Sequence, residues 1–158
     1  MSTVATIEHP HNARNAATAV AVPGTRAGRA FVPVGRALFA AIFVSAGLGH
    51  FSQPMIAMAA AQGVPLAGVA VPLSGIMALA GGLSVLLGYR ARAGALVLIA
   101  FLVPVTLAMH RFWTVADPMM HQLHMVMFMK NLALIGGAIF IAYFGAGPFS
   151  LDARRGRA

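Results

Sequence analysis

The amino-acid sequence predicts an all-α integral membrane protein, a four-helix transmembrane bundle with a short interfacial helix between the first and second spans. Of its 158 residues, 59% are hydrophobic and only 9% are charged, whereas about a quarter of the residues in soluble domains are charged. Its mean hydropathy is +0.83. Four apolar segments also reach the length of about 17–25 residues that crosses a bilayer, and the length of the chain indicates a single domain.

Polar residues, glycines and prolines separate the four apolar segments, and membrane helices tolerate the few glycines and prolines inside them. The predicted segments are Val34–Phe51, Pro65–Gly88, Gly94–Val115 and Met119–Phe144. The membrane domain is predicted over residues 31–152. It follows a disordered cytoplasmic tail at residues 1–30 and precedes a basic cytoplasmic tail at residues 153–158.

A short helix is predicted between the first two spans, lying flat at the outer surface. Ser52 offers an N-terminal cap, Pro54 suits the first helical turn, and Gly63 suits the C-terminal cap. Its methionines and alanines are compatible with packing on the bundle or with contact to lipid, and the sequence does not choose between these.

The basic residues predict the orientation of the bundle. Nine of the eleven would lie on one side of the membrane, and this positive-inside pattern predicts a bacterial inner-membrane protein with both termini in the cytoplasm. A nucleic-acid partner is not predicted, because the charges do not cluster with aromatic residues on one soluble element. The nine are Arg14, Arg26, Arg29, Arg36, Arg90, Arg92, Arg154, Arg155 and Arg157.

Cysteine is absent from the sequence. Disulfide exchange and thiolate metal sites are therefore excluded. A redox role would need a bound cofactor or a partner subunit, and whether the chain is itself an enzyme stays open.

Lys130 is the most informative single residue, because it lies in the middle of the fourth apolar segment with no acidic residue in any apolar segment. A lone amine at that depth costs roughly 2.5–3.5 kcal/mol on insertion scales, so such groups are functional candidates. The alternative is structural: the lysine extends to the interface or bonds backbone carbonyls to fix helix packing.

Polar residues in the outer half of the bundle extend this candidate site. His110 and His124 are expected at similar depth on adjacent helices, His50 ends the first span, and Asn131 follows Lys130 but points about 100° away from it. Three interpretations stay open: a quinone or small-molecule pocket, a structural hydrogen-bond network, and a metal or haem held by histidines. Tightly bound metal or cofactor is not predicted.

Aromatic residues near the outer surface complete the candidate set. Trp113 fits an interfacial aromatic belt, with stacking on a ligand as the alternative, and Phe128 is a candidate for the pocket wall. Arg111 and Asp117 are close enough in sequence to form an exposed ion pair at the lip of the bundle. Pro104 is expected to kink the third span and widen a cavity beside Lys130.

Small residues recur at helical spacing in three spans, which favours close packing within one bundle, with homo-oligomerisation as the alternative. The first span has this pattern at Ala41, Ser45 and Gly49. The second has Ala80, Ser84 and Gly88, and the fourth has Ala133 and Gly137.

Several motifs together resemble the DoxX family of small four-helix membrane proteins. They are Gly35-Arg36, Ser45-Ala46-Gly47-Leu48-Gly49-His50, Gly81-Gly82, Leu87-Gly88, His110-Arg111-Phe112-Trp113, Asp117-Pro118, Phe128-Met129-Lys130-Asn131, Gly136-Gly137 and residues 145–152. The resemblance covers about Val34 to Asp152. It departs from the family pattern at Ala78, where members often carry a glutamate.

This resemblance implies an accessory subunit of a quinone-linked or other membrane oxidoreductase system. Lys130 and His110 would donate hydrogen bonds to a quinone, His124 or His50 would pass protons, and Phe128 and Trp113 would line the pocket. The expected partners are the lipid bilayer and a redox subunit. The rival hypothesis is a small solute transporter, permeability or assembly module without chemistry.

Overall fold

The computed structural model describes residues 26–156, and the elements of this part are helices with short turns. Four of the helices are long and apolar enough to cross a membrane, which confirms the predicted fold class. In chain order the elements are α1 (Arg26–Gly49), α2 (Gln53–Ala61), α3 (Ala67–Leu87), α4 (Ala91–Met109), a 3₁₀ turn (Phe112–Thr114), α5 (Pro118–Phe144) and α6 (Leu151–Arg155).

The first and last parts of the chain differ in detail from the predicted tails. Helix α1 begins at Arg26 and so includes residues 26–30, which were predicted as tail. Residues 1–25 lie outside the described residues, and with them most of that predicted tail. Residues 153–155 belong to α6, so the helical structure extends past the predicted end of the membrane domain.

Helix α3 lies between α1 and α4, and α4 in turn packs on α5. The two outer helices also meet, because Phe39 of α1 lies against Gly137 of α5. Val85 and Leu98 are the largest fully buried side chains and lie on facing sides of α3 and α4. The core is thus shared by all four long helices and includes Phe43, Ala78, Val85, Ala95, Leu98, Phe101, Leu102 and Ala138.

Two adjacent glycines let α3 approach both neighbours closely. A Cβ on Gly81 would lie 2.7 Å from the Leu98 side chain and 2.9 Å from the Gly94 carbonyl oxygen of α4. A Cβ on Gly82 would lie 3.1 Å from Phe43 of α1. Small residues therefore mediate packing within the bundle. The prediction for Gly49 is wrong, because its Cβ position has no atom within 4 Å.

The bundle has two ends with different chemistry. We call one of them the basic end; it is formed by the start of α1, the α3–α4 turn, the end of α5, and α6. It carries Arg29, Arg36, Arg90, Arg92, Arg154 and Arg155. We call the opposite end the histidine end; it is formed by the end of α1, by α2, by the start of α3 and by the α4–α5 connection. It carries His50, His110, His121 and His124.

The short helix predicted between the first two spans is present as α2, and it covers part of the histidine end. Pro54 stands in its first turn and Gly63 follows it with φ at +82°, a conformation that glycine adopts without strain. Ala59 of α2 is buried against α3. The Ser52 hydroxyl donates to the carbonyl oxygen of Gly49 at 2.7 Å instead of capping α2.

Candidate functional site

A cavity of about 280 Å³ lies at the histidine end between α1, α4 and α5, and we call it the α1–α5 cavity. Four polar residues contribute to its wall: His50, His110, Lys130 and Asn131. The rest of the wall is apolar and includes Ile42, Phe43, Phe101, Val105, Met109 and Leu134. A mostly apolar cavity with a few convergent polar groups is the usual form of a small-molecule site.

Lys130 lines the α1–α5 cavity, and its side chain is exposed. It is 12 residues beyond Pro118, which places it about 18 Å along α5 from the histidine end. It forms no hydrogen bond or ion pair with any described residue. The carbonyl contacts required by the packing alternative are therefore not present in this part of the chain.

Asn131 is buried and joins α5 to α4. Its Nδ2 donates to the Thr106 hydroxyl at 3.0 Å, and that hydroxyl donates to the Leu102 carbonyl oxygen at 2.6 Å. The side-chain oxygen of Asn131 has no hydrogen-bond partner among residues 26–156. One half of this amide thus fixes helix packing, while the other half remains an acceptor beside the cavity.

His50 contributes to the same cavity from the end of α1. Its Nδ1 lies 2.7 Å from the carbonyl oxygen of Ala46. A carbonyl can only accept, so in the neutral ring Nδ1 carries the proton and Nε2 keeps its lone pair. The ring packs edge-on against Phe101, with centroids 5.8 Å apart. The backbone thereby fixes both the orientation and the tautomer of this histidine.

His110 and His124 approach each other as predicted for adjacent helices. Their ring centroids are 6.0 Å apart in an edge-to-face arrangement. His110 lines the α1–α5 cavity, whereas the buried Nδ1 of His124 has no partner among the described atoms. No group of three potential metal ligands exists within residues 26–156, so the geometry offers an imidazole pair rather than a built metal site.

The structure places Phe128 and Trp113 in an aromatic cluster and not in the wall of the α1–α5 cavity. Their ring centroids are 5.9 Å apart, and both pack edge-on against Phe112. His121 also packs against Phe112, at 5.6 Å. Trp113 is 54% exposed, in keeping with an interfacial belt.

The predicted ion pair between Arg111 and Asp117 is wrong. Arg111 donates instead to the carbonyl oxygen of Gln62 at 2.9 Å, which ties the end of α2 to the α4–α5 connection. Asp117 accepts from the backbone N–H of Met120 at 2.8 Å and so caps α5. The Asp117 carboxylate thus accepts from a free backbone N–H at the start of a helix, and the Arg111 guanidinium donates to a backbone carbonyl.

A second cavity, of about 260 Å³, lies between α3 and α4 beneath α2, and we call it the α3–α4 cavity. His50, Met55 and Phe101 belong to the walls of both cavities. Pro104 lines this second cavity and not the one beside Lys130. The predicted location of the space opened at this proline is therefore wrong, because Pro104 faces α3 rather than α5.

The basic end contains a set of contacts that the sequence analysis missed. Arg36 is 6% exposed and donates to the carbonyl oxygens of Ala146 at 2.7 Å and Phe149 at 2.8 Å. Asp152 accepts from the backbone N–H groups of Arg90 at 2.8 Å and Ala91 at 3.0 Å. We call these contacts the C-terminal clasp, since they bind the segment after α5 to α1 and α4.

One signal for the clasp was available in the sequence. The chain has three acidic residues, and two of them, Asp117 and Asp152, bond helix N-termini in the structure. An acid this scarce, placed directly after a Gly-Pro-rich turn, indicates a specific partner. The partners of Arg36 gave no such signal, because they are backbone carbonyls.

Comparison with known proteins identifies the family. A family model described as the SURF4 family matches residues 58–157. The chain is 32% identical over 127 residues to inner membrane protein YqjF of Escherichia coli strain K12, and the alignment covers 77% of this chain and 88% of the relative. This chain belongs to the SURF4 family. No solved structure matches it.

The SURF4 assignment corrects the resemblance drawn from the sequence. The sequence analysis attributed these motifs to the DoxX family. The family model that matches the chain is instead that of SURF4, and the relative reported above is YqjF. Several of those motifs contain glycines, and in this SURF4-family fold some of these glycines, such as Gly47, Gly81 and Gly137, lie close to side chains of neighbouring helices. Such residues recur wherever membrane helices approach closely, and they do not distinguish one family from another.

The predictions of a four-helix fold and of a location in the bacterial inner membrane hold for this SURF4-family protein. Four apolar helices and a relative named as an inner membrane protein support a bacterial inner-membrane protein. His110, Lys130 and Asn131 lie inside the matched region, whereas His50 and Arg36 lie before it. The family match therefore covers most of the α1–α5 cavity's polar groups.

Proposed function

We propose that this protein is a binding subunit of the inner membrane, whose α1–α5 cavity holds the hydrogen-bond-accepting head of a membrane-dissolved molecule. The single observation that carries the proposal is Lys130, an amine at mid-bilayer depth in the wall of an apolar cavity, without a partner among the described residues. An ionisable group at that depth costs free energy, and an accepting ligand would offset this cost.

A quinone is the occupant that the donor set fits best. Lys130 and His110 supply donors on the same cavity wall, and both would favour negative charge developing on a reducible carbonyl. Phe43 and Phe101 offer apolar ring surfaces. In its most specific form, the proposal is an accessory role for a membrane oxidoreductase whose partner subunit supplies the electrons.

The transporter alternative has weaker support. The α1–α5 and α3–α4 cavities, which extend between the spans, both lie at the histidine end. At the basic end, the C-terminal clasp joins the segment after α5 to α1 and α4 by direct hydrogen bonds. This arrangement suits binding from one side of the bundle or from lipid better than passage along its length.

The proposed orientation places the basic end in the cytoplasm. Seven arginines of the described residues lie at that end, including Arg26 at the start of α1, against Arg111 at the other, which agrees with the positive-inside rule. Reporter fusions after Gly63 and after Arg157 should report opposite compartments. Identical compartments would contradict the proposed topology.

The binding experiment uses the full chain purified in mild detergent. Native mass spectrometry would identify co-purifying small molecules, and a short-chain benzoquinone would then be titrated as the probe. Lys130→Met should weaken binding about tenfold, since a hydrogen bond to a charged group contributes about 1.5–3 kcal/mol. Ala46→Leu, which fills the cavity without changing a charge, should weaken it as well.

Two controls separate the site from general effects. Gln122→Met removes a polar group from an exposed position of α5 outside the cavity and should leave binding unchanged. Lys130→Arg keeps the positive charge and should retain most of the affinity. Wild-type affinity in both Lys130→Met and Ala46→Leu would refute the cavity as the site. A co-purified phospholipid in place of quinone would refute the redox form of the proposal.

A further inference from the structure

A groove of about 620 Å³ lies at the basic end, far from the α1–α5 cavity, and we call it the arginine groove. Arg90 and Arg92 line one side, and the loop of residues 145–147 lines the other. The Arg92 guanidinium lies directly over this loop, since a Cβ on Gly145 would be 3.3 Å from its Nε. Both arginine side chains are exposed.

The positive charge of the arginine groove is not neutralised within the described chain. Asp152 is the acidic residue in its wall, and both carboxylate oxygens already accept backbone N–H groups. Arg90 and Arg92 form no ion pair with any residue of the range 26–156. Nearby, a hydrogen bond from Arg155 and the charges of Arg155 and Arg90 lower the pKa of Tyr89.

The loop adds backbone donors to these guanidinium groups. The carbonyl oxygen of Ala146 accepts from Arg36, and the N–H of the same trans peptide, on Gly147, points in the opposite direction. This N–H and that of Ala146 have no acceptor in the described part of the chain. Backbone N–H groups beside arginines form a concave surface suited to an oxyanion.

Exposed aromatic residues place the arginine groove at the level of lipid headgroups. Tyr143, Phe144 and Phe149 at this end are 74%, 58% and 59% exposed. Tyrosine is enriched at the membrane interface, and the two exposed phenylalanines beside it offer surface to acyl chains. Phe144 also lines the groove itself, so a molecule bound there would meet both an apolar surface and the arginines.

We propose that the arginine groove binds the phosphate of an anionic phospholipid in the leaflet that faces the basic end. Arg92 and Arg90 pair with the phosphate oxygens, the Gly147 N–H donates to one of them, and an acyl chain lies along Phe144. This site is independent of the ligand proposed for the α1–α5 cavity.

The test compares phosphatidylglycerol with phosphatidylcholine. The full chain in detergent would be titrated with each lipid, and bound lipid would be counted by native mass spectrometry. Phosphatidylglycerol should bind preferentially. Arg92→Gln should weaken its binding about fivefold, the effect of one basic residue near an anionic surface, and Arg92→Lys should recover part of the loss.

Arg154→Gln is the matched control, because it removes the same charge from an exposed position at the same end that does not line the groove. It should weaken binding less than twofold. Equal losses in Arg92→Gln and Arg154→Gln, or no preference for phosphatidylglycerol, would overturn the proposal. Displacement of the lipid by millimolar inorganic phosphate would overturn the lipid as the source of the anion.

Discussion

The two ends of the bundle both carry cationic or imidazole side chains within apolar surroundings, but they treat them differently. At the basic end, Arg36 is buried and its guanidinium bonds two backbone carbonyls. In the half of the bundle toward the histidine end, Lys130 has no hydrogen-bond or ion-pair partner in residues 26–156 and lies against a cavity. A positive charge whose partners are backbone carbonyls of the same chain thus stabilises the fold. A positive charge without such partners can bind a ligand.

The packing of α3 against α4 also differs between the two halves of the bundle. In the half toward the basic end, Gly81 and Gly94 bring these two helices into backbone contact. In the half toward the histidine end, the α3–α4 cavity of about 260 Å³ separates them. Close packing stabilises the first part of this interface, and the second part keeps space that a ligand can fill.

The largest expected effect comes from removing the cation of the basic end. Arg36→Met leaves the carbonyls of Ala146 and Phe149 without their donor, so it should lower the free energy of unfolding by about 3 kcal/mol. Thermal unfolding in detergent would measure this loss. Arg154→Gln, exposed at the same end, is the control and should unfold like the wild type. An unchanged unfolding midpoint in Arg36→Met would show that Arg36 does not stabilise the fold, and the contrast with Lys130 would then be wrong.

A paired glycine substitution tests the tight packing. Gly81→Ala puts a methyl group against Leu98 and the Gly94 carbonyl and should cost about 2 kcal/mol. Gly136→Ala is the matched control, because its Cβ position has nothing within 4 Å and alanine is the better helix former. Unfolding in detergent should therefore separate the two variants, and equal stability would show that α3 and α4 are not in close contact.

Asp152→Asn tests the second contact of the C-terminal clasp. The carboxylate accepts from two backbone N–H groups, while an amide offers one oxygen and turns an NH₂ toward the other donor. We expect a loss of about 1 kcal/mol, read as a lower unfolding midpoint. Loss of the effect when Asp152→Asn is combined with Arg36→Met would indicate that the two contacts act as one unit.

The smallest expected effect on stability is that of Lys130→Met. Like Arg36→Met, it replaces a cation with methionine, but in the half of the bundle toward the histidine end. This side chain is exposed and bonds no described residue, so the free energy of unfolding should change by less than about 0.5 kcal/mol. The ligand binding described above should nevertheless weaken about tenfold. A midpoint that falls as far as in Arg36→Met, with binding intact, would make Lys130 structural.

The helices were predictable because each depends on neighbours in sequence. Hydropathy over about 20 residues located the four spans, and Ser52, Pro54 and Gly63 located α2 between them. The depth of His110 and His124 followed from counting residues along α4 and α5, and the rings do meet at 6.0 Å. Periodicity and helix rise are sufficient for predictions of this kind.

The clasp and the side-chain directions were not predictable in this way. Arg36 was counted among the charges flanking the first span, whereas it is buried against carbonyls 110 and 113 residues away. Backbone carbonyls have no sequence signature, and so the partners of Arg36 and Arg111 could not be identified. Likewise, the spacing of Trp113 and Phe128 gave their depth but not their common partner Phe112.

The distance of 110 residues between Arg36 and Ala146 has a consequence for biosynthesis. When α1 leaves the ribosome and enters the membrane, the carbonyls that will accept its guanidinium have not yet been made. The α3–α4 turn likewise forms before Asp152 exists to bond it. The basic end is therefore completed only after α5 has been inserted, and a ribosome stalled before residue 145 would hold a bundle whose arginine must stay hydrated.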